Sequence, residues 1–390
     1  SLMAGRYDVS TQRESLHERF EQADDSPDQR PAFRAELREA MRMRPAEHYF
    51  PLLGATAAFR WKDEKPMPWL QLTLERAPVN GRAHALLAQV LASKGARAQA
   101  LFELRLAVEH EPGLAEKTAP LATTLARNYD ELLTAVPAGQ PGAMVLNMMA
   151  RELGKPAQAD LRRQVDLEAV TRDPEMVEPR TRLLFGLFEE MESVVAGRGP
   201  GPSCPSAEVC SAEIERHAAA IDKARPNAAT GSMMRARGLI AQGHRAEAEA
   251  LLVDGCTRLE SRSDCLHLRA ENLAELNDVP KLEAVLKELM SSNCMTAASC
   301  AAAATFVGHL RTKRNEPHAA ASAYMRAAQE EATEERWLLA ADASERAKMY
   351  AQAIEALSHL STMRNGTDTA VNARISRLRA EAAAEQMRRF

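Results

Sequence analysis

The chain has 390 residues, too many for one ordinary core, so two or three domains or a repeat array are expected. Hydrophobic residues make up 45% and charged residues 27%, which excludes a disordered chain, and a net charge of −4 excludes a strongly basic, nucleic-acid-binding surface as the main theme. Aromatics are only 4% while 72 residues are Ala, a composition that suits closely packed helices; of the 50 basic residues only ten are Lys.

At the start, Ser1-Leu2-Met3-Ala4-Gly5 lacks the charged and apolar regions of a signal peptide, so a signal is either absent or already removed. No apolar run approaches the roughly 18 to 20 residues that span a bilayer. Period-two alternation is missing, and amphipathic runs broken by Gly, Pro or Asn follow one another, so the chain is predicted to be helical almost throughout.

These runs repeat. Leu37, Ala40 and Pro45 form a first unit; Phe50, Leu53-Gly54 and Pro78 a second; Leu87-Ala88, Leu91, Gly95, Ala100, Leu104, Ala107 and Pro112 a third. In the third, the spacing predicts two antiparallel helices with small residues at their crossing, Gly95 at the turn and Pro112 as the stop. From Leu114 to Arg225 the register is irregular but still helical, with Gly154, Ala159 and Ala169, then Ile214, Ala218, Ile221 and Pro226. The frame returns at Ala236, Leu239, Gly243, Ala248 and Leu252; at Ala270, Leu273, Asn277, Leu282, Leu286 and Leu289; at Gly308, Asn315, Ala320, Tyr324 and Ala327; and at Trp337, Ala341, Ala353, Leu357 and Leu360. The series resembles the tetratricopeptide repeat (TPR), with His84, Leu91 and Leu104 standing where that family has aromatics. The resemblance implies an all-α, right-handed superhelical solenoid of about nine to eleven antiparallel helix pairs. An irregular helical bundle, or a helical-hairpin solenoid of looser consensus, is the alternative.

Gly197-Arg198-Gly199-Pro200-Gly201-Pro202 interrupts the helices. Two prolines remove amide donors and no strand precedes the run, so a flexible connector fits better than a phosphate cradle. The expected division is residues 1–196, a linker over 197–205, and residues 206–390.

All six cysteines lie in three close pairs, Cys204/Cys210, Cys256/Cys265 and Cys294/Cys300. Ser206, Ser261 and Thr296 are expected as helix N-caps, Asp264 as a capping-box acid, and each second cysteine falls four residues after its cap. The shared geometry favours three local disulfides over buried free thiols, and the gaps fit zinc poorly. Disulfides point to an oxidising compartment: periplasm, envelope or secreted, with the cytoplasm as alternative.

A catalytic constellation is not found, and neither metal nor cofactor is expected. The ten histidines are scattered, and Glu14-Ser15, Glu192-Ser193 and Glu260-Ser261 lack the lysozyme-like domain that would give a Glu-Ser pair a wall-cleaving role. The Met148-Met149 and Met233-Met234 pairs read as core filling. The Asn365-Gly366-Thr367 sequon carries no weight, and the arginines between Val371 and Phe390 suit a polar capping helix. The family resemblance implies a concave groove lined by the first helix of each pair. Positions matching the motif are Gln89, Arg237, Glu271, His309 and Asp342, with Ser93, Lys313 and Arg346 one turn away. The Lys/Asn clamp with which some members grip a partner's acidic C-terminus is not reproduced. The expectation is a non-catalytic scaffold of the bacterial cell envelope or periplasm that binds a protein or peptide segment and no nucleic acid. A cytosolic recruiting subunit of an enzyme complex is the alternative, and a wall hydrolase with a dispersed site the remote one.

Overall fold

The computed structural model describes residues 9–292 and 296–388. Its helices are α1 (Val9–Asp25), α2 (Arg30–Met43), α3 (Tyr49–Trp61), α4 (Pro66–Arg76), α5 (Gly81–Ser93), α6 (Arg97–His110), α7 (Ala115–Leu125), α8 (Tyr129–Thr134), α9 (Gly139–Glu152), α10 (Ala159–Arg172) and α11 (Val177–Val195). They continue as α12 (Ala207–Ala224), α13 (Thr230–Ala241), α14 (Arg245–Gly255), α15 (Arg262–Glu275), α16 (Val279–Ser292), α17 (Ala297–Lys313), α18 (Pro317–Glu330), α19 (Glu334–Arg346), α20 (Tyr350–Met363) and α21 (Thr369–Arg388). Among the described residues the only extended pairing is a single bridge between Ala228 and Glu260.

Consecutive helices pack as hairpins: α1/α2, α3/α4, α5/α6, α9/α10, α13/α14, α15/α16, α17/α18 and α19/α20. α7 is cut to eleven residues and carries Pro120, α8 has six residues, and α21 lies along α20 as a terminal helix. The chain is an all-α array of TPR-like hairpins. In six of these hairpins the turn contains a left-handed residue, Lys62, Gly95, Gly243, Asn277, Asn315 or Lys348, with φ between 55° and 85°. The last four recur at spacings of 34, 38 and 33 residues, which is the repeat period seen in the backbone itself. Where two helices cross, a small residue admits a large one: a Cβ on Gly308 would lie 2.5 Å from the Tyr324 ring, and one on Gly54 would lie 2.3 Å from the Trp69 ring.

Two compact units are present, one ending at Leu183 and the other beginning at Leu184, within α11. The Gly/Pro run at 197–202 lies inside the second unit, downstream of that break. There the Ser203 N–H donates to Glu190 Oε2 at 2.7 Å. In the first unit the core runs through Phe33, Phe50 and Leu70 and on through Leu101, Leu146 and Met149; α5 and α6 contribute to both parts. In the second, Leu252, Leu273 and Leu289 lead on to Trp337, Leu357 and Leu378, with α18 shared. Each hairpin thus completes its core with its neighbour.

Sulfur pins several of the helix starts. Cys204 and Cys210 are at disulfide distance, as are Cys256 and Cys265, with Cα separations of 4.9 and 5.4 Å. Cys300 lies four residues after its N-cap, while Cys294 is outside the described residues. Ser206 caps α12 by accepting from the Val209 N–H, and Thr296 caps α17 by accepting from the Ser299 N–H. The capping expectation needs correction at Ser261. It occupies the N-cap position of α15 in a left-handed conformation (φ 59°), makes no side-chain cap, and places its hydroxyl 3.4 Å from that of Thr230.

Candidate functional site

The first unit holds an open cavity of about 1160 Å³. One face of each first helix lines it. Tyr49, Leu52, Thr56 and Phe59 come from α3; Arg82, Leu86, Gln89 and Ser93 from α5; Lys117 and Leu121 from α7. These are three- and four-residue steps, the positions that share one side of a helix. Leu52, Leu86 and Leu121 remain half-buried, so the floor offers apolar surface with nothing packed over it.

The rim is cationic. Arg60, Lys62, Lys65, Arg82, Lys94 and Lys117 face two carboxylates, Glu21 and Glu64, a formal charge of +4 with His17 neutral. Both arginines are engaged, Arg60 with Asp24 (2.6 Å) and Arg82 with Glu111 (3.2 Å). The indole N–H of Trp61, ahead of Arg60, holds the Asp24 carboxyl below the usual carboxylate range. None of the four lysines forms an ion pair among the described residues.

The turn Lys62-Asp63-Glu64-Lys65 shows how this comes about. Buried Arg34, with Trp61 and Trp69 within 5.6 Å, binds Asp63 at 2.9 Å and the Gly54 carbonyl at 3.2 Å. Glu64 is drawn to Arg38 (2.7 Å) and the Trp69 indole N–H (3.0 Å). Both acids of the turn are spent on the protein itself, and both lysines are left in solvent.

Behind α5 sits a buried ion pair. His84 Nδ1 lies 2.6 Å from Glu103 Oε2, and Nε2 lies 2.8 Å from the Pro78 carbonyl. Both partners are acceptors, so the two contacts are satisfied together only when the ring is protonated. Above all the hydrogen bond to Glu103, opposed by burial, raises the His84 pKa. At the far end of the unit, Arg182 forks onto buried Asp166 (2.6 and 3.1 Å) and reaches Asn147 at 2.6 Å. Burial outweighs Arg182 there and pushes the Asp166 carboxyl up.

The second unit has a smaller cavity of about 430 Å³. Arg237, Glu271, His309 and Lys313, expected in one row from α13, α15 and α17, all line it. Its charges cancel: Arg237, Arg245 and Lys313 meet Glu192, Glu271 and Glu275. Lys313 is tied to Glu275 at 2.5 Å, His309 Nδ1 to the Tyr324 hydroxyl at 2.9 Å, and Arg237 lies over the Phe185 ring. Gln89 and Ser93 line the first cavity. Asp342 and Arg346 line neither cavity: Asp342 binds Arg374 of α21 at 2.6 Å, and Arg346 donates to the Asp342 carbonyl. The rim lysines and the Leu52/Leu86/Leu121 floor were missed. The available signal was that four of only ten lysines fall between residues 62 and 117.

Among the described residues no three His, Cys, Asp or Glu side chains are grouped to hold a metal, and no helix is long and apolar enough to cross a membrane. No family model matches the chain, and no curated protein matches it. Among solved structures it is similar to the APC/C hetero-tetramer Cut9–Hcn1, at 11% identity and TM-score 0.28 over 96% of this chain and 91% of that one. It is also similar to a monomeric mutant of IFIT1 with Gppp-AAAA, at 14% identity and TM-score 0.36, over 86% of this chain and 68% of that one. A human IFIT1 dimer with m7Gppp-AAAA matches at 15% identity and TM-score 0.34, over 92% and 72%. What each of these binds is a property of that protein.

Proposed function

We propose that the protein is a non-catalytic scaffold that holds a segment of a partner protein in the cavity of its first unit. The observation that carries this reading is the alignment of α3, α5 and α7, whose matched faces leave a half-buried aliphatic floor under an open cavity of about 1160 Å³. A fold built from stacked hairpins supplies long contact surfaces without a reaction centre. The two cysteine pairs at disulfide distance support an oxidising compartment, and the bacterial envelope or periplasm is the location proposed.

The test is site-specific photo-crosslinking in the native host. A photoreactive residue at Gln89, on the cavity side of α5, is expected to capture a discrete partner, and one at Gln99, exposed on α6, is not. Equal labelling from both, or none from Gln89, overturns the reading. Mapping cysteine peptides after alkylation without reduction settles the compartment: linked Cys204–Cys210 and Cys256–Cys265 are expected. Fully alkylated cysteines would move the scaffold to a cytosolic complex.

A further inference from the structure

We infer that the occupant of the first cavity is an acidic segment of a protein, with aliphatic side chains interleaved among its carboxylates. This rests on the reading of that cavity as a binding groove and adds the chemistry of what it binds. The argument begins from scarcity. The chain is Arg-rich and carries a net charge of −4, yet four of its ten lysines gather around one cavity whose lining sums to +4. The two acids of the Lys62–Lys65 turn, Asp63 and Glu64, are held by Arg34 and Arg38, and none of the four lysines has an ion-pair partner among the described residues.

Helix dipoles do not account for the cluster. Lys62 and Lys94 follow the C-terminal ends of α3 and α5, where a cation is favoured, but Lys117 stands in the first turn of α7, where it is not. Lys62 also occupies a left-handed conformation (φ 57°) that a glycine would adopt more readily. What the four share is the cavity.

The floor decides the class of polyanion. Leu52, Leu86 and Leu121 come one from each of three successive first helices and match aliphatic side chains. A nucleic acid would seek stacking platforms and guanidinium forks for its phosphates. Both cavity arginines are already paired; of the lining aromatics Tyr49 has Arg13 over its ring, 5.5 Å from the centroid, and Phe20 is buried against Trp61, which leaves Phe59 alone as a platform. Lysines over an aliphatic floor suit carboxylates alternating with Leu, Ile or Val.

The full chain would be titrated with short fluorescent probes capped at both ends: a Glu/Leu peptide, a Glu/Ser peptide, a Lys/Leu peptide and an oligoadenylate RNA. The Glu/Leu peptide should bind tightest, and added salt should weaken it. Replacing Lys62, Lys65, Lys94 and Lys117 together by Gln should weaken it about tenfold, while Lys223→Gln with Lys287→Gln should leave it unchanged. All six are exposed, so the variants are expected to keep the wild-type circular dichroism and melting curve. Tighter binding of the RNA or the Lys/Leu peptide, equal binding of Glu/Ser, an unaffected quartet variant, or no binding of Glu/Leu at millimolar concentration overturns the inference. A crosslink from Gln89 to a neutral or basic segment would sink this inference and leave the groove standing; no crosslink from Gln89 would remove the groove as well.

Discussion

The two units reinforce their helix junctions by different means. All six cysteines lie beyond Leu184, and in the second unit sulfur joins the end of α14 to the start of α15 across the loop that holds Ser261. The first unit has no cysteine and relies on charge alone, His84 with Glu103 and Pro78, Asp166 with Arg182, Arg34 with Asp63, whereas the second adds its sulfur to a buried pair of its own, Glu249 with Arg269 between α14 and α15. Their cavities differ in the same sense. In the second unit the lining charges cancel and Lys313 is tied down; in the first, the acids of the Lys62–Lys65 turn are held by Arg34 and Arg38, and the four lysines form no ion pair among the described residues. Internal pairing can therefore either silence a surface or charge it, depending on which partner it consumes.

The strongest way to break this comparison is to remove the second unit's sulfur. Cys256→Ser with Cys265→Ser opens a short loop, and the chain-entropy relation gives a loss of about 2.5 kcal/mol. Hydrogen exchange followed by mass spectrometry should show the loss in peptides of α13 to α16, with α3 to α6 unchanged. Equal loss in both units would show that they unfold as one body.

The matching test in the first unit uses pH. His84 has a raised pKa in the folded protein, so its contribution is complete below the unfolded value of about 6.5 and fades as pH rises through the folded value. Glu103 and the His110 ring, 5.5 Å away, are the ionisable groups that face it from α6. His84→Ala is expected to cost about 2 kcal/mol at pH 5.5, the worth of charge-assisted hydrogen bonds, and less at pH 8. Protection of α5 and α6 should follow this trend while α13 to α16 stay flat. A pH-independent loss would mean that His84 acts only as packing.

Periodicity made the hairpins readable, because Gly54 and Gly308 stand at crossings with no room for a side chain, and Gly95 and Gly243 at turns whose positive φ favours glycine. Lys348 hid one such turn: its backbone is left-handed like that of Gly243, but nothing in the residue type announces it. Ser261 misled for the reverse reason, since a good capping residue took up a conformation that turns its side chain away from the cap. The row Arg237, Glu271, His309 and Lys313 could be read from repeat register alone. The lysine rim could not, because its charge depends on Arg34 and Arg38 of α2 taking Asp63 and Glu64 from the turn that follows α3. Asp342 was placed by register but is spoken for by Arg374 of α21, a tertiary partner with no sequence signature.

The finest distinction concerns two lysines with the same backbone and different surroundings. Lys62 and Lys348 have φ of 57° and 56°, in the region where a side chain is strained and glycine is not. Lys62 lines the first cavity; Lys348 turns the α19/α20 hairpin and lines neither cavity. Glycine at either site should relieve strain but add freedom to the unfolded chain, for a net gain of about 0.5 kcal/mol in melting experiments. Binding of an acidic aliphatic peptide then separates them. Lys348→Gly should leave the affinity as it was, and Lys62→Gly should lower it by about twofold, the share of one exposed charge. Were both variants to gain stability with affinity intact, Lys62 would be a turn residue and nothing more, and the rim would be reduced to Lys65, Lys94 and Lys117.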